Sequence, residues 1–238
     1  MQGPSSGRDL AAAFEAAQAM DAPVNERLAH YARAITTHFA EYTTAVDQLV
    51  ARLTAAGAGT AAPAVGDAMP DFLLPDQSGH LVGLTDILAK GPAAIAFHRG
   101  HWCPFCRINA RSLAELERDV APIGGQIVLI SPERQTYTAR QQTDAAAGFQ
   151  VLSDISNGYA LSLNIAIWLG DDLRRLHASV GRDLNEYQGN DSWFVPIPAT
   201  FVVARDGRVA TRFIDPDYRR RMDIDDLRAA LKTAAQGV

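Results

Sequence analysis

The run Ala93-Ala94-Ile95-Ala96-Phe97 leads through a short loop into Cys103-Pro104-Phe105-Cys106, and apolar residues then recur at Ile108, Leu113, Leu116 and Val120. An unbroken apolar stretch of strand length followed by a helical spacing predicts a buried β-strand feeding an amphipathic helix, with both cysteines on its first turn. These are the chain's only 2 cysteines. A helix N-terminus offers unsatisfied amides and the positive end of a dipole, which favour thiolate over thiol. With two residues between them, the sulfurs share one face and can close a small disulfide ring. The pattern reads as a redox centre.

Other uses of a Cys-x-x-Cys pair fit less well. A structural zinc ion takes four ligands, and the only histidines near the pair, His98 and His101, sit on a strand end where tetrahedral closure is awkward. His30, His38, His80 and His177 are scattered without ligand spacing. A permanent disulfide across four residues would constrain little of the unfolded chain. Zinc and an inert buried pair stay open as alternatives.

The chain has 238 residues, 47% hydrophobic and 21% charged, enough for one large domain or a domain with an appendage. A net charge of −5 gives no basic footprint for nucleic acid, and no apolar run reaches the length of a membrane span. The head, Met1 to Arg8, lacks the charged and apolar regions of a secretory signal and reads as flexible. A dithiol without such a signal is expected in the cytoplasm, in transient catalytic use. No motif calls for a bound cofactor.

Composition shifts near residue 60. Residues 1–60 read as a helical arm, with a short helix over about Asp9–Met20, punctuation at Asp21-Ala22-Pro23, and one long helix over about Val24–Ala56. The latter carries a stripe of Leu28, Tyr31, Ile35, Phe39, Tyr42, Val46, Leu49 and Leu53. The stripe is expected to pack on the rest of the chain, and its heptad-like repeat leaves a homodimer interface as the sharper alternative. Gly57–Pro63 reads as a linker, and residues 64–238 as the second unit. There a hairpin over residues 72–84 is followed by a short helix capped by Thr85. After the cysteine helix come a strand over 126–130, a helix over 134–147, a strand over 149–152 and an irregular helical stretch through Trp168 and Leu176. A hairpin over 199–214 turning at Asp206-Gly207 and a helix over about Asp225–Gln236 close the chain. This order implies a mixed α/β sheet.

Strand–Trp102-Cys103-x-x-Cys106–helix resembles the thioredoxin fold. Together with Gly66-Asp67-Ala68-Met69-Pro70-Asp71-Phe72 and Pro198-Ala199-Thr200-Phe201, it resembles the alkyl hydroperoxide reductase/thiol-specific antioxidant family, the peroxiredoxins and their relatives, over residues 64–235. The resemblance implies a thioredoxin-like α/β domain behind an N-terminal helical extension. It implies a thiol peroxidase that reduces hydrogen peroxide or organic hydroperoxides and is recycled by a thioredoxin- or glutathione-type reductant. A thioredoxin-like disulfide oxidoreductase and a non-enzymatic redox sensor are the alternatives. The family pattern Pro-x-x-x-Thr-x-x-Cys places Cys106 at the peroxide-attacking position, with Cys103 in the threonine's place and Arg99 in the proline's. A thioredoxin-type pair would instead attack through Cys103. Asn109 stands where a glutamate or glutamine often follows.

Arg99 is expected to supply positive charge beside the sulfurs, and Trp102 to shield them. Pro198 stands where peroxiredoxins carry an arginine and resembles the cis-proline of thioredoxins, which implies a cis Ile197–Pro198 bond against Cys103. Arg219-Arg220-Arg221, among Asp215, Asp217, Asp223 and Asp225, reads as a solvated charge run.

Overall fold

A computed structural model describes residues 4–236, so Met1–Gly3 of the expected flexible head lie outside the described residues. The arm begins with α1 (Pro4–Ala19), α2 (Val24–His38) and α3 (Ala40–Ala55). After it come β1 (Leu73–Pro75), β2 (Leu81–Gly83), α4 (Leu84–Lys90), β3 (Ala93–Phe97), α5 (Pro104–Val120), β4 (Gln126–Ser131), α6 (Gln135–Ala145) and β5 (Gln150–Ser153). The last part holds α7 (Gly158–Ser162), β6 (Ala166–Trp168), α8 (Asp171–Ser179), α9 (Leu184–Gln188), β7 (Phe194–Pro196), β8 (Ala199–Val203), β9 (Val209–Ile214) and α10 (Ile224–Ala235).

The central sheet runs β5-β4-β3-β8-β9, parallel on the β3/β4/β5 side and antiparallel on the β3/β8/β9 side. All residues of β3 and β8 are buried, so both strands are covered on both faces. One face packs Ala94, Ala96, Leu129 and Val202 against Leu113, Leu116, Leu227 and Leu231 of α5 and α10. The other packs Ile95, Phe97, Val128 and Phe201 against Phe72, Leu84 and Tyr159. This mixed sheet between helical layers is the expected thioredoxin-like architecture, and it ends β3 directly beneath the start of α5.

Several expectations need correction. The long arm helix breaks at Phe39, whose backbone (φ −142°, ψ 59°) is not helical. Thr36-Thr37-His38 precede it, and β-branched threonines resist helix weakly enough for packing to decide. The cap of α4 is Gly83, whose N–H donates to Asp86 Oδ2 at 3.1 Å; Thr85 already lies inside the helix. The irregular stretch near Trp168 contains β6, which pairs with β7 as Ala166↔Pro196 and Trp168↔Phe194, a ribbon too short to show a strand period. No cis peptide occurs among the described residues, so Ile197–Pro198 is trans. Ile197 N–H donates to the Ile165 carbonyl at 2.7 Å while Ala199 already pairs with Phe97. Pro198 therefore sits between two residues already committed to backbone partners, one on each side.

The arm's stripe is used within the chain. Leu28, Tyr31, Val46 and Leu49 are buried, and Ile35, Tyr42 and Leu53 pack beside them, in one cluster with Trp102, Cys103, Phe105 and Tyr218. Tyr31 meets the edge of Phe105 with ring centres 5.4 Å apart. The arm thus docks on the cysteine helix of its own chain, as the packing expectation had it. Truncating Leu28→Ala at a fully buried position should lower unfolding stability by about 2–5 kcal/mol, as read from the midpoint of a urea titration.

Candidate active site

Cys103 is the N-cap of α5 and Pro104 its first residue, so the helix begins between the two sulfurs. Both cysteines are free thiols and both are buried. They differ in surroundings. Cys103 lines a cavity of about 620 Å³, while Cys106 lies behind it against the strand end. Cys106 Sγ accepts the Arg99 backbone N–H at 3.4 Å and Arg221 Nη2 at 3.5 Å.

Two buried guanidinium groups flank the pair. Arg99 is 2% exposed, with its charged carbon 3.9 Å from the Tyr218 ring centre and 4.8 Å from that of Trp102. Among the described residues its Nε, Nη1 and Nη2 find no hydrogen-bond partner. The structure holds this charge between two aromatic faces. Arg221 is also buried and donates to the Tyr218 and Arg220 carbonyls. Only its neighbours follow the expected solvated pattern: Arg219 pairs with Asp217 and Asp47, and Arg220 with Asp215.

The electrostatics separate the thiols. Burial alone would raise the Cys103 pKa, but the thiol hydrogen bond from Cys106 and the charges of Arg99 and Arg221 outweigh it and hold Cys103 below the ordinary thiol range. Cys106 is pushed up by burial, by the hydrogen bond it gives and by the negative Cys103. Arg99 is kept charged against burial chiefly by the same thiolate.

Glu133, which the sequence did not single out, is fully buried at the end of β4. Its Oε2 accepts the His101 N–H at 2.7 Å and so holds the loop before the cysteines. Burial pushes its pKa up to about 8 against the pull of the His101 and Trp102 N–H groups. Gly100 makes this approach possible: at φ +135° a Cβ there would lie 2.5 Å from Glu133 Oε1.

The rings of the two histidines near the pair both have polar partners. His98 Nε2 lies 2.9 Å from Asn109 Nδ2, and His101 Nε2 lies 2.8 Å from Asp144 Oδ2. Among the described residues no cluster of His, Cys, Asp and Glu is arranged to hold a metal ion. His177 is buried on α8 and lines the cavity. Its one sequence signal is its place on an apolar helix face with Leu173 and Leu176. Trp102 lines the cavity, whereas Pro198 is buried between β7 and β8 and is not among the cavity's lining residues. The arm supplies the opposite wall through Leu10, Phe14, Ile35, Phe39 and Tyr42.

The AhpC/TSA family model matches residues 65–212. The chain belongs to that family. A relative from Pseudomonas aeruginosa, "Thiol:disulfide interchange protein DsbE", is 26% identical over 168 residues, covering 69% of this chain and 81% of its own. The fold is similar to that of peroxidoxin BcpB from Mycobacterium tuberculosis, with a TM-score of 0.56, 22% identity, and 72% of this chain and 97% of that one covered. It is also similar to Enterococcus faecalis AhpC, with a TM-score of 0.56, 14% identity, and 74% and 94% covered. Family and fold make this a thiol redox protein. No helix among the described residues is long and apolar enough to cross a membrane.

Two measurements check the electrostatics. Iodoacetamide alkylation of the reduced protein should stay fast below pH 7 and fall only as the pH drops through the depressed Cys103 value; Cys103→Ser should abolish the fast phase, and Cys106→Ser should keep it. Glu133 keeps its proton when folded but releases it near 4.5 when unfolded. Its stabilising contribution is therefore complete below 4.5 and lost as pH rises through about 8. Urea midpoints at acid, neutral and alkaline pH should decline in the wild type relative to Glu133→Gln, whose amide does not titrate.

Proposed function

We propose that the protein is a thiol-dependent peroxidase that reduces hydroperoxides through Cys103 and Cys106, with Cys103 as the attacking sulfur. One observation carries this assignment: of the two thiols only Cys103 lines the cavity, beside the unpartnered guanidinium of Arg99. It reverses the preference for Cys106 that the peroxiredoxin register gave. In that register Cys103 stands in place of the threonine, and here Cys106 is the deeper sulfur that holds the proton.

In the reaction the Cys103 thiolate attacks the distal peroxide oxygen. The O–O bond breaks, the sulfur becomes a sulfenic acid, and the departing alkoxide takes a proton to leave as alcohol or water. The Arg99 N–H groups stabilise the negative charge that moves onto oxygen. Cys106 then attacks the sulfenic sulfur, forming the Cys103–Cys106 disulfide and releasing water. A thioredoxin- or glutathione-type dithiol or thiol pair returns two electrons by exchange, and the pair is again a thiolate and a thiol. Trp102 covers the site by stacking on Arg99, and Glu133 fixes the loop that carries it.

A second reading is disulfide interchange without a peroxide step. It is favoured by the thioredoxin-type order of the thiols and by the name of the 26% identical relative.

Stopped-flow mixing of reduced protein with hydrogen peroxide and with cumene hydroperoxide separates the two. The peroxidase reading expects a reaction at least ~100-fold faster than a free thiol, in line with acid–base and electrostatic assistance. It also expects a sulfenic acid on Cys103, trapped by a dimedone reagent, in the Cys106→Ser variant. A rate no faster than a free thiol, together with reduction of insulin disulfides, would establish interchange instead. Trapping only in Cys103→Ser would return the attack to Cys106.

A further inference from the structure

The cavity above Cys103 is larger than a peroxide needs. Its volume of about 620 Å³ compares with the ~30 Å³ that one water occupies in the liquid, and it lies in the range of sites that bury small organic ligands. Leu10, Phe14, Ile35 and Phe39 of the arm and Leu176 and Val180 of the α8 segment give it apolar walls.

Its polar lining is short of acceptors. Arg99 presents three nitrogens without a hydrogen-bond partner. Arg182, also in the lining, gives one hydrogen bond, from Nη1 to His177 Nδ1 at 3.2 Å. An arginine only donates, so His177 Nδ1 accepts and its proton sits on Nε2. That Nε2 is buried and has no partner. The remaining charged residues of the lining are engaged elsewhere: Arg107 with Asp144 and Glu41 with Arg175.

In the reduced protein the Cys103 thiolate is the anion that faces Arg99. Forming the Cys103–Cys106 disulfide removes that charge and leaves a buried cation with three unmet donors. Buried charges are stable only when paired.

We propose that the cavity is a redox-linked anion site, which takes a small organic carboxylate with an apolar body once the Cys103–Cys106 disulfide has formed. The carboxylate accepts from Arg99, Arg182 and His177, and the apolar body lies along the arm. The redox linkage rests on the thiol-pair reading above, whereas the site itself needs only that Cys103 be uncharged. Binding and redox state are coupled reciprocally. An anion that prefers the oxidised form stabilises it and lowers the midpoint potential, by about 30 mV for each tenfold preference in a two-electron couple.

Isothermal titration calorimetry of the full chain at pH 7 tests this with hexanoate and its neutral isostere hexanamide. Hexanoate should bind the disulfide form and the Cys103→Ser variant roughly tenfold or more tighter than the reduced wild type, a typical coupling between sites. Hexanamide should not distinguish the forms. Arg182→Gln, which keeps a donor for His177 but loses the charge, should weaken hexanoate severalfold in the oxidised form and leave hexanamide unchanged. Equal hexanoate binding to oxidised and reduced protein would overturn the linkage. Equal binding of hexanoate and hexanamide would overturn the anion site. Release of one further proton on oxidation, with no hexanoate bound, would also overturn it, because Glu133 would then have ionised to balance Arg99. A protein that forms no disulfide, judged by mass, would sink the thiol-pair reading alone, and Cys103→Ser would still decide the anion site.

Discussion

A guanidinium buried without a carboxylate organises this site. Arg99 leaves the end of β3 into a space closed by Tyr218 and Trp102, and it finds its counter-charge in sulfur. A cation and an anion held side by side out of water attract more strongly than they would in solvent, and ring faces and a helix N-terminus add to that. The arrangement is self-consistent only with one thiolate. Burial, the hydrogen bond it gives and the negative charge already on Cys103 all keep the proton on Cys106, which serves as donor to Cys103. The division of labour between the sulfurs thus follows from one buried positive side chain and from which sulfur faces the open volume.

The loop between strand and helix must hold its shape for this to work, and here a buried acid is essential. Glu133 reaches across from β4 to the His101 N–H, and Gly100 yields the space. In its neutral form the carboxyl adds no second negative charge beside Cys103. The parallel pairing of β3 with β4 brings the ends of both strands to the same edge, so the fold itself delivers Glu133 to the thiols.

The sheet and the position of the thiols were legible in the sequence because they rest on local pattern. Ala93–Phe97 and Ile127–Ile130 are apolar without interruption, Ala199–Val203 is broken only by Thr200, and α5 repeats its apolar face over four turns. What was not legible depends on long-range placement. Arg221 looks like its two neighbours in a charged run, and only the docking of the segment before α10 beneath α5 buries it against Cys106. His177 is a lone histidine until α8 turns it toward Trp102, with ring centres 5.2 Å apart. Pro198 carried a local resemblance, but the pairing of Ile197 and Ala199 on either side of it fixed an extended backbone. The break at Phe39 was hidden because the heptad spacing continues across it while the axis does not.

The family match ends at residue 212 and begins at residue 65, yet Tyr218, Arg221 and the whole arm lie outside that span. The matched segment therefore supplies the sulfurs and one side of the cavity, through Leu176, His177 and Val180, and the flanks supply the rest of the wall and part of the charge that tunes the thiols. Such a layout separates the reaction centre from much of the frame around it. Changes in the frame can alter which molecules enter, or how readily the sulfur ionises, while every residue of the signature stays as it is. Two proteins of this family with the same cysteine motif are thus free to differ in chemistry, and the difference would be written where the motif is not.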